Sequence, residues 1–193
     1  MNKLCVYCGS SVAVPEHFYD AARALGTAIA NQGWGLVYGG VATGLMGAVA
    51  DATLAAGGHV TGVIPANIAE KKVEHPGLSE LIVTPNLHAR KTKMFELSDA
   101  FVAAPGGLGT LEEAFEILTW RQLGLHAKPL IFLNTDNIWT PIKTAMDTLI
   151  ANGFAKQAHE GMQAFVDKPE QVFPTIERMD RTLYDPTIKW LAQ

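Results

Sequence analysis

Cysteine is scarce: the 193 residues contain two, Cys5 and Cys8. So few thiols exclude the multi-bridge framework of a small secreted domain. Their C-x-x-C spacing lies inside the apolar run Leu4-Cys5-Val6-Tyr7-Cys8 rather than at a helix start, where a thioredoxin-like motif would sit. In a strand, side chains three apart point to opposite faces, so both cysteines read as core. Basic charge is also short. Fifteen Lys and Arg stand against nineteen Asp and Glu, a net charge of -4, which lacks the basic face of a nonspecific nucleic-acid binder. No apolar run approaches the roughly 18 residues of a membrane span. The stretch Leu4–Cys8 is too short for a signal-peptide core, so the expected location is the cytosol, with thiols reduced. The six histidines include no H-x-x-x-H or H-E-x-x-H, and no metal site is expected. Linkers, internal repeats and low-complexity segments are absent too, which predicts one domain over residues 1–193.

What is present is ordinary globular material, 48% hydrophobic and 18% charged, enough for one sizeable core. Strands are predicted at 3–8, 35–38, 59–64, 80–84, 100–104 and 129–133. Helices are predicted at 15–32, 44–56, 86–98, 110–123, 139–152 and 169–179. In the first of these, Phe18, Ala22, Leu25 and Ile29 recur at spacings of three and four, which marks one helix face. Residues 67–79 read as a loop, and the tail after Tyr184 is left unassigned. Alternating elements with near-continuous apolar strands predict a Rossmann-like open parallel α/β sheet. Six or seven strands are expected, with helices on both faces. Ligands of such sheets bind at the carboxyl ends of strands. Three glycine clusters fall there: Gly9-Ser10-Ser11, Gly39-Gly40 through Gly44, and Gly106-Gly107 through Gly109.

The strongest motif is Pro105-Gly106-Gly107-Leu108-Gly109-Thr110-Leu111-Glu112-Glu113. It follows a strand and opens a helix, where backbone N–H groups and the helix dipole favour an anion such as phosphate. Glu112 stands where a dinucleotide fingerprint needs its third glycine, and no Lys-Ser/Thr pair follows to make a P-loop. A second reading stays open: Thr110-x-x-Glu113 has the form of a capping box, whose side chains merely satisfy helix N-terminal donors. The segment His88-Ala89-Arg90-Lys91-Thr92-Lys93 is unusual in placing three cations at a helix start, where the dipole opposes them. Local rules broken in this way mark functional sites. The alternative is a solvated face with a Lys93–Glu96 pair.

The motif run resembles the P-G-G-x-G-T-x-x-E signature of the Lonely Guy family of cytokinin-activating phosphoribohydrolases. Cys8-Gly9-Ser10-Ser11, Tyr38-Gly39-Gly40, Gly44-Leu45-Met46-Gly47, Gly62-Val63-Ile64-Pro65, Arg90-Lys91, Thr119-Trp120 and Gln122-Leu123-Gly124 also resemble family segments, in order. The likeness spans roughly residues 4–155. It implies hydrolysis of adenosine 5′-monophosphate, plain or N6-modified, to free base and ribose 5-phosphate. By resemblance, Arg90 and Glu113 are the catalytic pair. Ser10, Gly40, Lys91, Gly106, Gly107, Leu108, Gly109, Thr110 and Thr119 bind substrate. No cofactor is implied. The old family label of lysine decarboxylase would need a pyridoxal Schiff-base lysine, which nothing in the sequence supports. The resemblance also implies a homodimer, with Trp120 and Arg121 suited to its interface.

Two positions depart from the family pattern. Val41 replaces a third glycine after the second strand, and Lys72 stands where many members carry a substrate-binding glutamate. These departures bear on base preference. A phosphorylated-ligand carrier of the same fold is the rival reading. A nicotinamide-dependent dehydrogenase is disfavoured, because the third glycine is missing and a separate substrate domain has no room.

Overall fold

A computed structural model describes residues 1–185. Its strands are β1 (Lys3–Tyr7), β2 (Gly35–Tyr38), β3 (Val60–Pro65), β4 (Glu80–Thr84), β5 (Ala100–Ala103), β6 (Leu130–Leu133) and β7 (Gln163–Val166). The helices are α1 (Glu16–Asn31), α2 (Gly44–Ala55), α3 (Ala66–Ala69), α4 (Leu87–Leu97), α5 (Leu108–Gln122), α6 (Thr140–Ala151) and α7 (Val172–Arg178). The strands form one seven-stranded sheet in the order β4-β3-β2-β1-β5-β6-β7. Every pairing is parallel. The expected Rossmann-like α/β architecture is therefore present, at the upper end of the expected strand number.

Strand alternation divides the core between the two faces of this sheet. Leu4, Val6 and Cys8 point to the layer of α1, α2 and α7, against Leu25, Val49 and Phe173. Cys5 and Tyr7 point to the layer of α4 and α5, against Met94, Ala114 and Ile117. Both thiols are free and buried. Burial pushes each up to about 12, because a thiolate has no water to solvate it there.

Four sequence expectations shift. β7 was not predicted, and it adds an edge strand beside β6. In Gln163-Ala164-Phe165-Val166 only the last residue is buried, so the run lacks the apolar continuity of the inner strands. The loop expected at 67–79 is entered through the single helical turn α3, too short to show a helical period. α5 begins two residues before Thr110. Gly107 is extended at its N-cap, and the Leu111 N–H closes the first turn on the Gly107 carbonyl at 3.1 Å. Arg121, expected on an interface, is instead buried. It donates to the backbone carbonyls of Lys128, Met162 and Asp180, tying α5 to the chain's last described segment. Trp120 meets Phe95 edge to face at 5.1 Å.

The order of the sheet reverses at β1, whose neighbours are β2 and β5. A crevice opens outside the carboxyl ends of strands at such a reversal. Here the ends of β1 and β5 are stitched by the Gly9 N–H donating to the Pro105 carbonyl at 3.0 Å.

Candidate active site

Glycine lets three loops converge at this point. A Cβ on Gly106 would lie 2.1 Å from Thr110 Oγ1 and 3.0 Å from Gly9 N, so only glycine fits between the two strand ends. Gly44 has φ +62°, and a Cβ there would sit 2.5 Å from the Ser10 carbonyl carbon. With both gaps closed, α2 docks directly on the β1 loop. The Leu45 and Met46 amides donate to the Gly9 carbonyl at 3.0 and 3.3 Å. Thr43 Oγ1 donates to the Ser10 carbonyl at 3.2 Å. The first amides of α2 are thus spent on the fold.

The start of α5 is different. No side chain caps it. The amides of Leu108, Gly109 and Thr110 precede the first intrahelical bond, so they have no acceptor within the helix. Gly109 and Thr110 border an open cleft of about 310 Å³ lined by Cys8, Gly9, Ser10, Ser11, Met46, Arg90, Gly107, Gly109, Thr110 and Glu113.

Arg90, from the first turns of α4, crosses to α5 and pairs with the Glu113 carboxylate. The two side chains are only 14% and 7% exposed. Burial pulls the guanidinium below its ordinary value, against the opposing pull of Cys5, Tyr7 and Glu112. Gly39 lies beside it: a Cβ there would be in ordinary contact with Arg90 Nη1 at 3.5 Å and tight only against Met46 Cε at 3.2 Å. The capping-box reading of Thr110 and Glu113 therefore fails. With the helix already begun at Leu108, Glu113 lies too far along it to reach the cap, and its carboxylate goes to Arg90 instead. The guanidinium is no exposed helix-start cation either. The opposing α4 dipole is answered by Asn86, whose Oδ1 accepts from the Ala89 N–H at 2.9 Å.

Of the residues singled out in sequence, Arg90, Glu113, Ser10, Gly107, Gly109 and Thr110 come together on this cleft. Gly106 is not in the lining but lies next to it, at the close approach to Thr110 and Gly9. Leu108 projects from the first turn of α5 and is 86% exposed. Gly40 is buried at the end of β2, off the cleft lining, with its carbonyl accepting the His75 N–H at 2.9 Å. Lys91 lies outside the cleft, held by Glu112 and Glu116. Thr119 also lies outside. It borders a second, apolar cavity of about 150 Å³ between α5 and α6, and its hydroxyl donates to the Phe115 carbonyl at 2.7 Å. Lys93 keeps the bland partner Glu96, at 3.4 Å. Val41 forms an isolated bridge with Glu74, and Lys72 is exposed with φ 54°. Cys8, Gly9, Ser11 and Met46 also line the cleft; the sequence placed them in marked segments without assigning them to the site. Met46 belongs to the Gly44-Leu45-Met46-Gly47 segment, where its signal was present. Among the described residues, no cluster of His, Cys, Asp or Glu is arranged to hold a metal ion, and no helix is long and apolar enough to cross a membrane.

Residues 46–176 match the family model described as "Possible lysine decarboxylase". A cytokinin riboside 5′-monophosphate phosphoribohydrolase of Rhodococcoides fascians is 44% identical over 158 residues, 81% of this chain and 80% of the relative. One of Arabidopsis thaliana is 41% identical over 168 residues, 87% of this chain and 73% of the relative. Among solved structures, the molybdenum cofactor binding protein of Rippkaea orientalis superposes with a TM-score of 0.70 at 26% identity, covering 91% of this chain and 95% of that one. The extent of these matches means that the chain belongs to the Lonely Guy family of phosphoribohydrolases.

Proposed function

We propose that this protein hydrolyses the N-glycosidic bond of a purine nucleoside 5′-monophosphate, adenosine 5′-monophosphate or an N6-substituted cytokinin counterpart, and acts as a homodimer. The observation that carries the reading is the Arg90–Glu113 pair, which shares one cleft with the uncapped start of α5. The amides at Gly107–Thr110 suit the 5′-phosphate, since a helix N-terminus favours an anion. A carboxylate does not belong on a phosphate, so Glu113 faces the ribose. Cleavage transfers the C1′–N9 electron pair to the base and leaves oxocarbenium character on the ring. A carboxylate beside C1′ stabilises that charge and orients or deprotonates the attacking water. The base takes up a proton at N9 as it leaves, and water supplies the new C1′ hydroxyl.

A carrier that holds a phosphorylated ligand without cleaving it is the second reading, favoured by the likeness to the molybdenum cofactor binding protein. It gives no use for a carboxylate sunk beside a guanidinium in the ligand cleft, where desolvating two charges is costly. Incubation of purified protein with adenosine 5′-monophosphate, with chromatographic detection of free adenine and ribose 5-phosphate, separates the two. The carrier reading holds if the nucleotide binds and is recovered intact, alone and with N6-isopentenyl as substituent.

A further inference from the structure

Among the described residues two histidines are buried, His75 and His126, and they differ in what faces them. His75 Nε2 meets the Asp51 carboxylate at 2.9 Å. His126 bonds backbone alone: the Lys128 N–H donates to Nδ1 at 3.1 Å, and Nε2–H donates to the Ile117 carbonyl at 2.9 Å. A ring nitrogen that accepts carries no hydrogen, so this pair of bonds exists only for the neutral ring. A proton on Nδ1 would set one donor against another. The rings of Phe95, from α4, and Phe101, from β5, lie beside the imidazole at 5.1 and 6.3 Å.

The charges that bear on His126 are cations, Arg121 from α5 and Lys128 two residues on. Glu96 of α4 and Asp99 act on Lys128, and Asp180 acts on Arg121; none of these carboxylates bonds the imidazole. Cys5 of β1 is a neutral thiol, pushed up to about 12. Burial pulls His126 below the ordinary histidine value, and the two cations add to that pull against the Ile117 bond. Between Arg121 and Pro129, His126 is the only buried residue. Leu123 and Leu125 beside it are 52% and 65% exposed. Lys128 gives a second hold, since Nζ sits 4.0 Å from the Phe95 ring centroid and donates to the Phe95 carbonyl at 2.7 Å. That hold carries the charge which would repel a protonated His126. The one buried anchor of the connection from α5 to β6 is thus a titratable ring.

We propose that His126 is an acid-released latch: the neutral ring holds residues 123–128 down, and the protonated ring leaves for water and frees that connection while the sheet stays folded. Released, the ring has the ordinary histidine value of about 6.5. Above that pH both forms are neutral, and acidity has no hold on the latch. Below it the released form takes up a proton that the latched form refuses, so the released population grows by up to about tenfold per pH unit. The growth stops where the latched ring itself titrates. The latch is independent of the reaction assigned to the cleft.

Amide hydrogen exchange of the full chain, corrected for the intrinsic effect of pH, reads local opening. At residues 123–128 the opening constant should be level above neutrality and rise by up to about tenfold for each pH unit below about 6.5. The amides of β1 should show no such rise. His126→Asn still offers a side-chain oxygen to the Lys128 N–H and has no charge to gain, so its opening constant should stay level across the same range. A rise as steep in His126→Asn as in wild type would overturn the proposal. So would an equal rise in β1, because the whole fold would then be yielding. The ring gives a check that needs no substitution: by nuclear magnetic resonance, the His126 Cε1 proton should titrate at lower pH than that of exposed His88. Titration of the two together would also overturn the latch. If His126→Asn does not fold, ring titration and wild-type exchange carry the test.

Discussion

Replacing Glu113 by Gln removes a charge and almost nothing else, so its outcome can be worked out beforehand. The Glu113 and Arg90 side chains are 7% and 14% exposed. Removing one member of a fully buried ion pair costs about 3–5 kcal/mol, because the other charge is stranded. Gln keeps an oxygen that accepts from the guanidinium, and the open cleft admits water to Arg90. The expected loss is therefore lower, about 1–3 kcal/mol. For a domain of this size each kcal/mol moves Tm by about 2–4 °C, so a thermal melt should fall by several degrees while staying cooperative. Turnover of adenosine 5′-monophosphate should fall about 10²-fold or more, with the loss of a positioned base or charge stabiliser. Nucleotide affinity should change little, because the α5 amides remain. A cycle with Arg90→Gln completes the test. In the double variant neither charge is stranded, so its destabilisation should be smaller than the sum of the two single losses. Strictly additive melts would refute the ion pair. Retention of more than half the activity by Glu113→Gln would refute the catalytic reasoning, whatever the melts show.

Three further outcomes are expected. Adenosine should be a far poorer substrate than its 5′-monophosphate, by several kcal/mol in kcat/KM at roughly 1.5–3 kcal/mol per charge-assisted bond; equal rates would reduce the start of α5 to a plain helix start. Gly106→Ala should weaken phosphate-dependent selectivity and lower Tm together, since its Cβ would meet Thr110 Oγ1 at 2.1 Å and Gly9 N at 3.0 Å; wild-type kinetics would show that the loop adjusts. Light scattering at micromolar concentration should give twice the 20.8 kDa chain mass, and a monomer mass would remove the homodimer.

The elements legible in the sequence were those whose physics is local. β2 and β4 run as predicted, Gly35–Tyr38 and Glu80–Thr84, because glycines or polar residues bound short apolar runs. β7 was hidden because an edge strand buries little and Gln163–Val166 shows no alternation to reveal it. At the cleft, the cations of α4 were conspicuous as a broken local rule. Their partners were not, since Glu112, Glu113 and Glu116 are more than twenty residues away in sequence and nothing local sorts Arg90 to one carboxylate and Lys91 to two others. The Thr110–Glu113 spacing suggested a cap because the pattern matched; the glycine-rich turn let the helix begin earlier and released Glu113 for another partner. Arg121 misled in the opposite way. Its composition suited a surface, but its acceptors are backbone carbonyls, which leave no mark in a sequence.

The placement of the two cysteines makes them a pair of clocks. Cys5 sits in the layer that holds Arg90 and Glu113, and Cys8 in the layer across the sheet. With both thiols pushed up to about 12, neither is a nucleophile at neutral pH while its layer is shut. An alkylating reagent at Cys5 therefore reads out how often its layer opens, while at Cys8, which also lines the cleft, it reads layer opening together with access through the cleft. Single-cysteine forms, Cys8→Ala for one face and Cys5→Ala for the other, would time the two faces independently. Equal labelling rates would mean that the sheet and both helical layers come apart as a unit. A faster Cys5 would mean that the α4–α5 layer breathes by itself.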